Sequence, residues 1–113
     1  MRKGDVKSKV VSLRLTASKA QAIVRALAAQ TNNIIWTRHI RDRMEERGID
    51  STDVMNILKK GTVEDAPTGG SKPGELKVKV TRLTGGREAG VVAVLVSEKT
   101  KIKLVTTEWE DLT

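Results

Sequence analysis

The chain is 113 residues long, which is enough for one domain with a single hydrophobic core. Its formal net charge of +7 indicates a polyanionic partner, most simply nucleic acid. It contains no cysteine and one histidine, which excludes disulfides and thiol chemistry and argues against a zinc site, so we predict that it needs no metal and no cofactor.

Residues 1–11 are polar and basic, and we predict that they form a flexible arm on a single domain of residues 1–113. They lack the apolar core of a secretory signal, and no apolar run in the chain reaches the ~18 residues that a membrane span requires. The predicted location is therefore the cytoplasm, with no membrane partner.

Apolar residues at helical spacing, together with capping residues, predict three helices. Thr16, Thr37 and Asp50 can each cap a first turn, and the second and third helices end at Gly48 and Gly61. The last two form a helical hairpin or corner, for which a helix-turn-helix reader of DNA is a rival interpretation. The predicted helices cover residues 17–30, 38–47 and 52–60.

After the third helix the pattern changes to the alternation that is typical of strands, with Val91–Val96 as a central strand buried on both faces. Helices followed by strands predict an α+β fold, in which a twisted antiparallel sheet of about four strands carries helices on one face. Because the chain has no Phe and no Tyr, Trp36 and Trp109 are the only large side chains available to fill the core. The predicted strands cover residues 75–83, 91–97 and 101–107.

The second helix carries the only histidine of the chain. Residues four apart lie above one another on a helix, so His39, Arg43 and Arg47 should form one row, with Glu46 beside it. Trp36, Ile40 and Met44 should form the adjacent, buried row. Alternating charges are also typical of a solvated helix face, so this row is open to a purely structural interpretation.

The run from His39 to Val54, HIRDRMEERGIDSTDV, resembles the core of a bacterial family of small domains of unknown function. The pattern of that family is a His, then R-M-x-E-R-G-I, then D-V, and then a Gly that ends the next helix, here Lys60-Gly61. The closing run Leu104–Trp109, LVTTEW, is similar to the final strand of the family, so the resemblance covers residues 34–109. Such domains look related to the small toxin ribonucleases grouped with barnase, the colicin nucleases and the RelE-like toxins.

This resemblance implies a metal-independent endoribonuclease, with RNA and an antitoxin protein as the expected partners. RNA is cleaved without metal when a base takes the 2′-hydroxyl proton, an acid protonates the 5′-oxygen and cations stabilise the phosphorane. Histidine suits either proton transfer because it titrates near neutral pH, so His39 is the predicted proton-transfer residue. Arg43 and Arg47 would hold the phosphate, and Glu46 would act as a base or orient His39. The residues predicted to bind RNA are Lys77, Lys79 and Arg82 on the sheet, with Thr106 or Thr107, and Trp109, at the end of the last strand.

Two departures from the toxin pattern stand against catalysis. The chain has only one histidine, so a second proton-transfer group must be Glu, Lys or Arg, and it has no tyrosine near the C-terminus. If Trp109 takes the place of that tyrosine, it can stack on a base but cannot transfer a proton. A non-catalytic nucleic-acid-binding module and a protein-binding regulator or inhibitor from a mobile element therefore stay open as alternatives.

Overall fold

The computed structural model describes residues 15–111, so the predicted arm of residues 1–11 lies outside the described part of the chain. Three helices and five strands follow one another, with a single 3₁₀ turn at Thr31–Asn33. The helices are α1 (Ala17–Ala28), α2 (Arg38–Arg47) and α3 (Ser51–Lys60). The strands are β1 (Ile34–Trp36), β2 (Thr68–Gly69), β3 (Leu76–Thr84), β4 (Arg87–Val96) and β5 (Lys101–Trp109).

The helices begin and end where the capping residues predict. The Thr16 and Thr37 hydroxyls accept from the N–H groups of the first turns, and Asp50 forms a capping box with Asp53. Gly48 ends α2 in the left-handed conformation, with φ of +67°, which glycine adopts at little cost. The three predicted helices are therefore confirmed, although α1 stops two residues earlier than predicted.

The five strands form one sheet in the order β1-β5-β4-β3-β2. β5, β4, β3 and β2 pair antiparallel, whereas β1 runs parallel to β5. All three helices pack against one face of the sheet, which we call the inner face. Its side chains form the buried core together with Ile40, Val54, Ile57 and Leu58 of the helices. The buried inner-face residues include Val78, Val80, Val91, Ala93, Leu95, Ile102 and Leu104.

The α+β class and the position of the helices on one face are confirmed, and three details differ from the prediction. Val91–Val96 is a central strand but is not buried on both faces, because no described helix covers the other face of the sheet and Val92 and Val96 are partly exposed. The sheet is mixed and has five strands, because Ile34–Trp36 forms an edge strand instead of merely leading into α2. The two tryptophans are half-buried at the margin of the core instead of filling its centre. Aliphatic side chains fill that centre instead.

Gly61 is required where α3 meets the sheet. A β carbon at this position would lie 2.4 Å from the Ile57 carbonyl oxygen and 2.7 Å from that of Thr81. Both atoms belong to the backbone and cannot rotate away. The glycine that was predicted to stop α3 therefore also allows the close approach of α3 to β3.

No helix among residues 15–111 is long and apolar enough to cross a membrane.

Candidate active site

Hydrogen bonds to β5 fix helix α2 at both of its ends. At the N-terminus, the Thr37 hydroxyl donates to the Leu104 carbonyl oxygen at 2.7 Å. At the C-terminus, the Trp109 indole N–H donates to the Arg47 carbonyl oxygen, also at 2.7 Å. Between these points Ile40 is fully buried. These contacts hold one face of α2 against the sheet and present the other face to solvent.

The predicted row lies along one side of α2, and its arginines are partly buried, with side-chain exposures of 34% for Arg43 and 31% for Arg47. The His39 side chain is exposed, and no residue in the described part of the chain hydrogen-bonds to its ring. One Glu46 carboxylate oxygen accepts from Arg43 at 2.6 Å and from Arg47 at 3.3 Å. Glu46 therefore bridges the two arginines and does not orient His39. At 1.5 Å of rise per residue, the row extends about 12 Å from His39 to Arg47.

Arg47 also lines an open cavity of about 380 Å³ beyond the C-terminus of α2, together with Lys79, Glu108, Trp109 and Glu110. Lys79 pairs with Glu110 at 2.5 Å and with Glu108 at 3.7 Å. The hydrogen bond that Lys79 donates to Glu110 is the main cause that raises the pKa of Lys79 above its usual value. The cavity thus contains two cations and two carboxylates, so its charges balance.

Glu110 is held tightly over the sheet. Its Oε2 atom is buried without a hydrogen-bond partner among residues 15–111, while its other oxygen contacts Lys79. Gly90 provides the space, because a β carbon there would lie 2.6 Å from Oε2. A second cavity of about 220 Å³ lies beside this pair and is lined also by Glu64, Asp65 and Thr81. No group of three or more acidic or histidine side chains within residues 15–111 is placed to hold a metal ion.

At the end of β5, Arg87 stacks on the Trp109 ring and is itself held by Asp111. The Arg87 guanidinium lies 4.2 Å from the centroid of the Trp109 ring, within the range of cation–π attraction. Asp111 accepts two hydrogen bonds of 3.0 Å from the same guanidinium, and these bonds lower the pKa of Asp111. One ring face is therefore covered by Arg87 and the indole N–H is occupied, which leaves only part of the ring for a ligand base.

The other predicted RNA-binding residues do not converge on His39. Lys77 and Thr106 lie with Lys79 on the face of the sheet opposite the helices, whereas Arg82 alternates to the inner face and lies across from Ala89. Thr107, the alternative to Thr106, is fully buried and donates to the Gly90 carbonyl oxygen at 2.8 Å. Of the five positions, the structure brings Lys79 and Trp109 to the cavity of Arg47.

Sequence reasoning missed Glu108 and Glu110. The only sequence signal that could have added them to the site was the alternation along β5, which places these two residues on the same face as Thr106. The contact with Lys79 depends on the register between β3, β4 and β5, because Lys79 lies across from Val92 and Val92 across from Thr106. Such cross-strand neighbours cannot be read from spacing within one strand.

Two comparisons gave no relative, since no curated protein and no solved structure matches the chain. A comparison with protein families matched residues 36–109. That range extends from Trp36 at the end of β1 to Trp109 at the end of β5 and contains α2, α3 and the long strands. The chain belongs to the family described as Domain of unknown function (DUF4258).

Proposed function

We propose that the protein is a small metal-independent endoribonuclease of the toxin type, which cleaves RNA through attack of the 2′-hydroxyl. The observation that supports this most directly is the row of an exposed His39 and the partly exposed Arg43 and Arg47 on a helix that is fixed at both ends. A rigid helix holds a proton-transfer group and two guanidinium groups at constant spacing, and such preorganisation is what catalysis of phosphoryl transfer needs.

In the proposed reaction the 2′-oxygen forms a bond to phosphorus while the bond from phosphorus to the 5′-oxygen breaks. His39 takes the proton of the 2′-hydroxyl as general base. Because Glu46 is engaged by both arginines, water instead of the expected Glu, Lys or Arg protonates the departing 5′-oxygen, which leaves a 2′,3′-cyclic phosphate. Arg43 and Arg47 bind phosphate oxygens bidentately, with Glu46 holding their guanidinium groups toward each other. Because the row is about 12 Å long, His39 and Arg47 contact different phosphates of one strand.

A second candidate function is RNA binding without cleavage. One observation favours it, because no described residue hydrogen-bonds to His39. Catalytic bases are usually oriented by a third group, as in the triads of hydrolases. In this alternative the row on α2 contributes phosphate contacts alone, and His39 adds one more polar group to the interface.

Cleavage of labelled RNA in the presence of EDTA separates these functions. We expect the wild type to form 2′,3′-cyclic phosphate ends, and His39→Ala to lower the rate by about a hundredfold or more, as is typical for loss of a general base. Arg38→Ala is the matched control, because Arg38 is an exposed cation next to His39 outside the row. Its rate should stay close to that of the wild type.

Binding measurements with the same RNA complete the test. Arg43→Ala and Arg47→Ala should each reduce the slope of log K against log salt by about 0.7, the share of one phosphate contact in a single strand. RNA that the wild type binds but leaves intact would assign the protein to the second candidate function. A wild type that neither binds nor cuts RNA at low salt would refute both candidates and favour a protein partner, such as an acidic regulator.

A further inference from the structure

The face of the sheet opposite the helices, which we call the outer face, has no described residue of any helix packed on it. Its centre is apolar, since Val92, Val94 and Val96 of β4 alternate onto it. Val94 is only 6% exposed because the neighbouring strands place Lys77 and Lys103 on either side of it. Aliphatic lysine stems cover apolar surface in this way while their charges stay in water.

The charges on the outer face are separated toward its two ends. Lys77 and Lys103 form the basic end, and neither makes an ion pair with a residue in the range 15–111. At the other end, Gly90 has Thr81 on one side and Glu108 on the other, and the next row carries Glu88 and Glu110. The positions of Val94 and Gly90 are four residues apart on β4, about 13 Å along the strand.

The acidic end continues at the side of β3. Glu64 and Asp65 line the cavity next to Thr81 and Glu110, where Lys79 is the only cation. Together the five acidic residues of this end outnumber the two cations beside them, Lys79 and Arg47. We call this region the acidic end; it consists of Glu64, Asp65, Glu88, Glu108 and Glu110.

We propose that the outer face is a self-complementary interface through which two copies of the chain associate about a two-fold axis. The axis lies in the interface, perpendicular to the strands, near the row of Val92. Rotation about it brings the basic end of one copy over the acidic end of the other, and the same contact is formed twice. It also keeps each strand opposite itself, so that β5 faces β5 and β3 faces β3.

The register then selects the partners. On β5, Lys103 of one copy lies over Glu108 of the other, because both are about equally distant from the axis. On β3, Lys77 lies over the position of Thr81, beside which Glu64 and Asp65 line their cavity. At the axis Val92 of one copy meets Val92 of the other, and Val94 lies over Gly90, in two sheets packed about 10 Å apart. The two Lys79 side chains also face each other near the axis, each with its charge paired to Glu108 and Glu110 of its own copy. The face thus combines an apolar centre with complementary charges at its rim, an arrangement typical of protein interfaces.

A charge-swap experiment tests this arrangement on the full-length chain freed of nucleic acid. The basic-end variant combines Lys77→Glu and Lys103→Glu, and the acidic-end variant combines Asp65→Lys and Glu108→Lys. All four side chains are exposed or partly exposed, so circular dichroism should show native folding for both variants. Light scattering coupled to gel filtration at low salt should give a dimer for the wild type and a monomer for each variant alone.

An equimolar mixture of the two variants should restore a dimer, because both copies of the contact then pair opposite charges. The control Lys19→Glu with Lys59→Glu makes the same change of net charge on exposed residues of α1 and α3, and should leave the wild-type dimer intact. A wild type that stays monomeric at high concentration in low salt would overturn the proposal. So would variants that dimerise like the wild type, or a mixture that stays monomeric. If the wild type is monomeric and the basic-end variant loses RNA binding instead, the basic end belongs to an RNA site.

Discussion

Replacing Trp109 with Phe should destabilise the fold through loss of a single N–H group. The Trp109 indole joins β5 to the C-terminus of α2 through its 2.7 Å bond to the Arg47 carbonyl oxygen, and Arg87 stacks on its ring. A net hydrogen bond contributes about 1 kcal/mol, and the weaker cation–π attraction of Phe removes up to about 0.5 kcal/mol more. We therefore expect a loss of about 1–2 kcal/mol in the free energy of unfolding.

Urea unfolding followed by circular dichroism measures this loss without relying on the fluorescence of the replaced residue. For a domain of about 100 residues, 1.5 kcal/mol corresponds to a decrease in Tm of roughly 6–12 °C. Trp36→Phe is the matched control, because Trp36 is also half-buried near α2, has Arg41 5.8 Å from its ring centroid, and donates no hydrogen bond to a described residue. Its cost should be smaller by about 1 kcal/mol.

The reasoning would be refuted if Trp109→Phe cost less than about 0.3 kcal/mol, or if both substitutions cost the same. A separate double-mutant cycle of Trp109→Leu with Arg87→Met isolates the stacking contribution, which should be about 0.5–1 kcal/mol at this partly exposed site. A coupling near zero would mean that Arg87 is held by Asp111 alone.

The other predictions concern backbone space, pH and charge. Gly61→Ala should lower the free energy of unfolding by about 1–3 kcal/mol, since its β carbon would overlap backbone oxygens. Gly69→Ala is the control, because a β carbon there has nothing within 4 Å, and it should change the free energy of unfolding by less than about 0.5 kcal/mol. Because the pKa of Asp111 is lowered, its pairing with Arg87 stabilises the fold at pH values above the unfolded-state pKa near 4, and this stabilisation is lost as the pH falls through the folded-state pKa. The free energies of unfolding of wild type and Asp111→Asn, measured across this acid range, should therefore converge at low pH. Deletion of residues 2–14 should reduce the salt dependence of RNA binding by several phosphate contacts, at about 0.7 per contact; an unchanged slope would exclude these residues from the interface.

The local features of the fold could be predicted because each is encoded within a few residues. Thr37 and Gly48 mark the ends of α2 through capping and left-handed geometry, which depend only on the adjacent turn. β1 could not be predicted in the same way. Its three residues form a strand only because Ile34 and its neighbours pair with β5, which lies almost seventy positions further along the chain. Pairing at such separation has no local signal.

In the candidate site, too, the features encoded within one helix could be predicted, whereas those that depend on the pairing of distant strands could not. The alignment of His39, Arg43 and Arg47 follows from helical spacing and agrees with helix α2, whereas the partial burial of both arginines has no signal in that spacing. The contacts at the end of the row depend on the sheet register, which places Lys79 beside Glu110. The predicted burial of Trp109 failed for a related reason. Its position at the end of β5, where Arg87 of β4 reaches its ring, puts it at the margin of the core.

The distribution of the net charge along the chain determines which part of it would attract a polyanion. Residues 1–14 contain five basic residues and one acidic residue, so they contribute +4 of the net charge of +7. The part of the chain from residue 15 onward therefore carries only +3, and several of its cations, Lys79 among them, are already paired with carboxylates. A polyanion is thus attracted chiefly by the N-terminal residues, because Glu46 pairs with both arginines of the row on α2. The outer face, with its two charged ends, suits a partner of mixed charge. His39 and the basic end that contains Lys77 lie on opposite sides of the sheet. Arg47, however, shares its cavity with Glu108 and Glu110 of the acidic end, so the row and the outer face meet at that cavity.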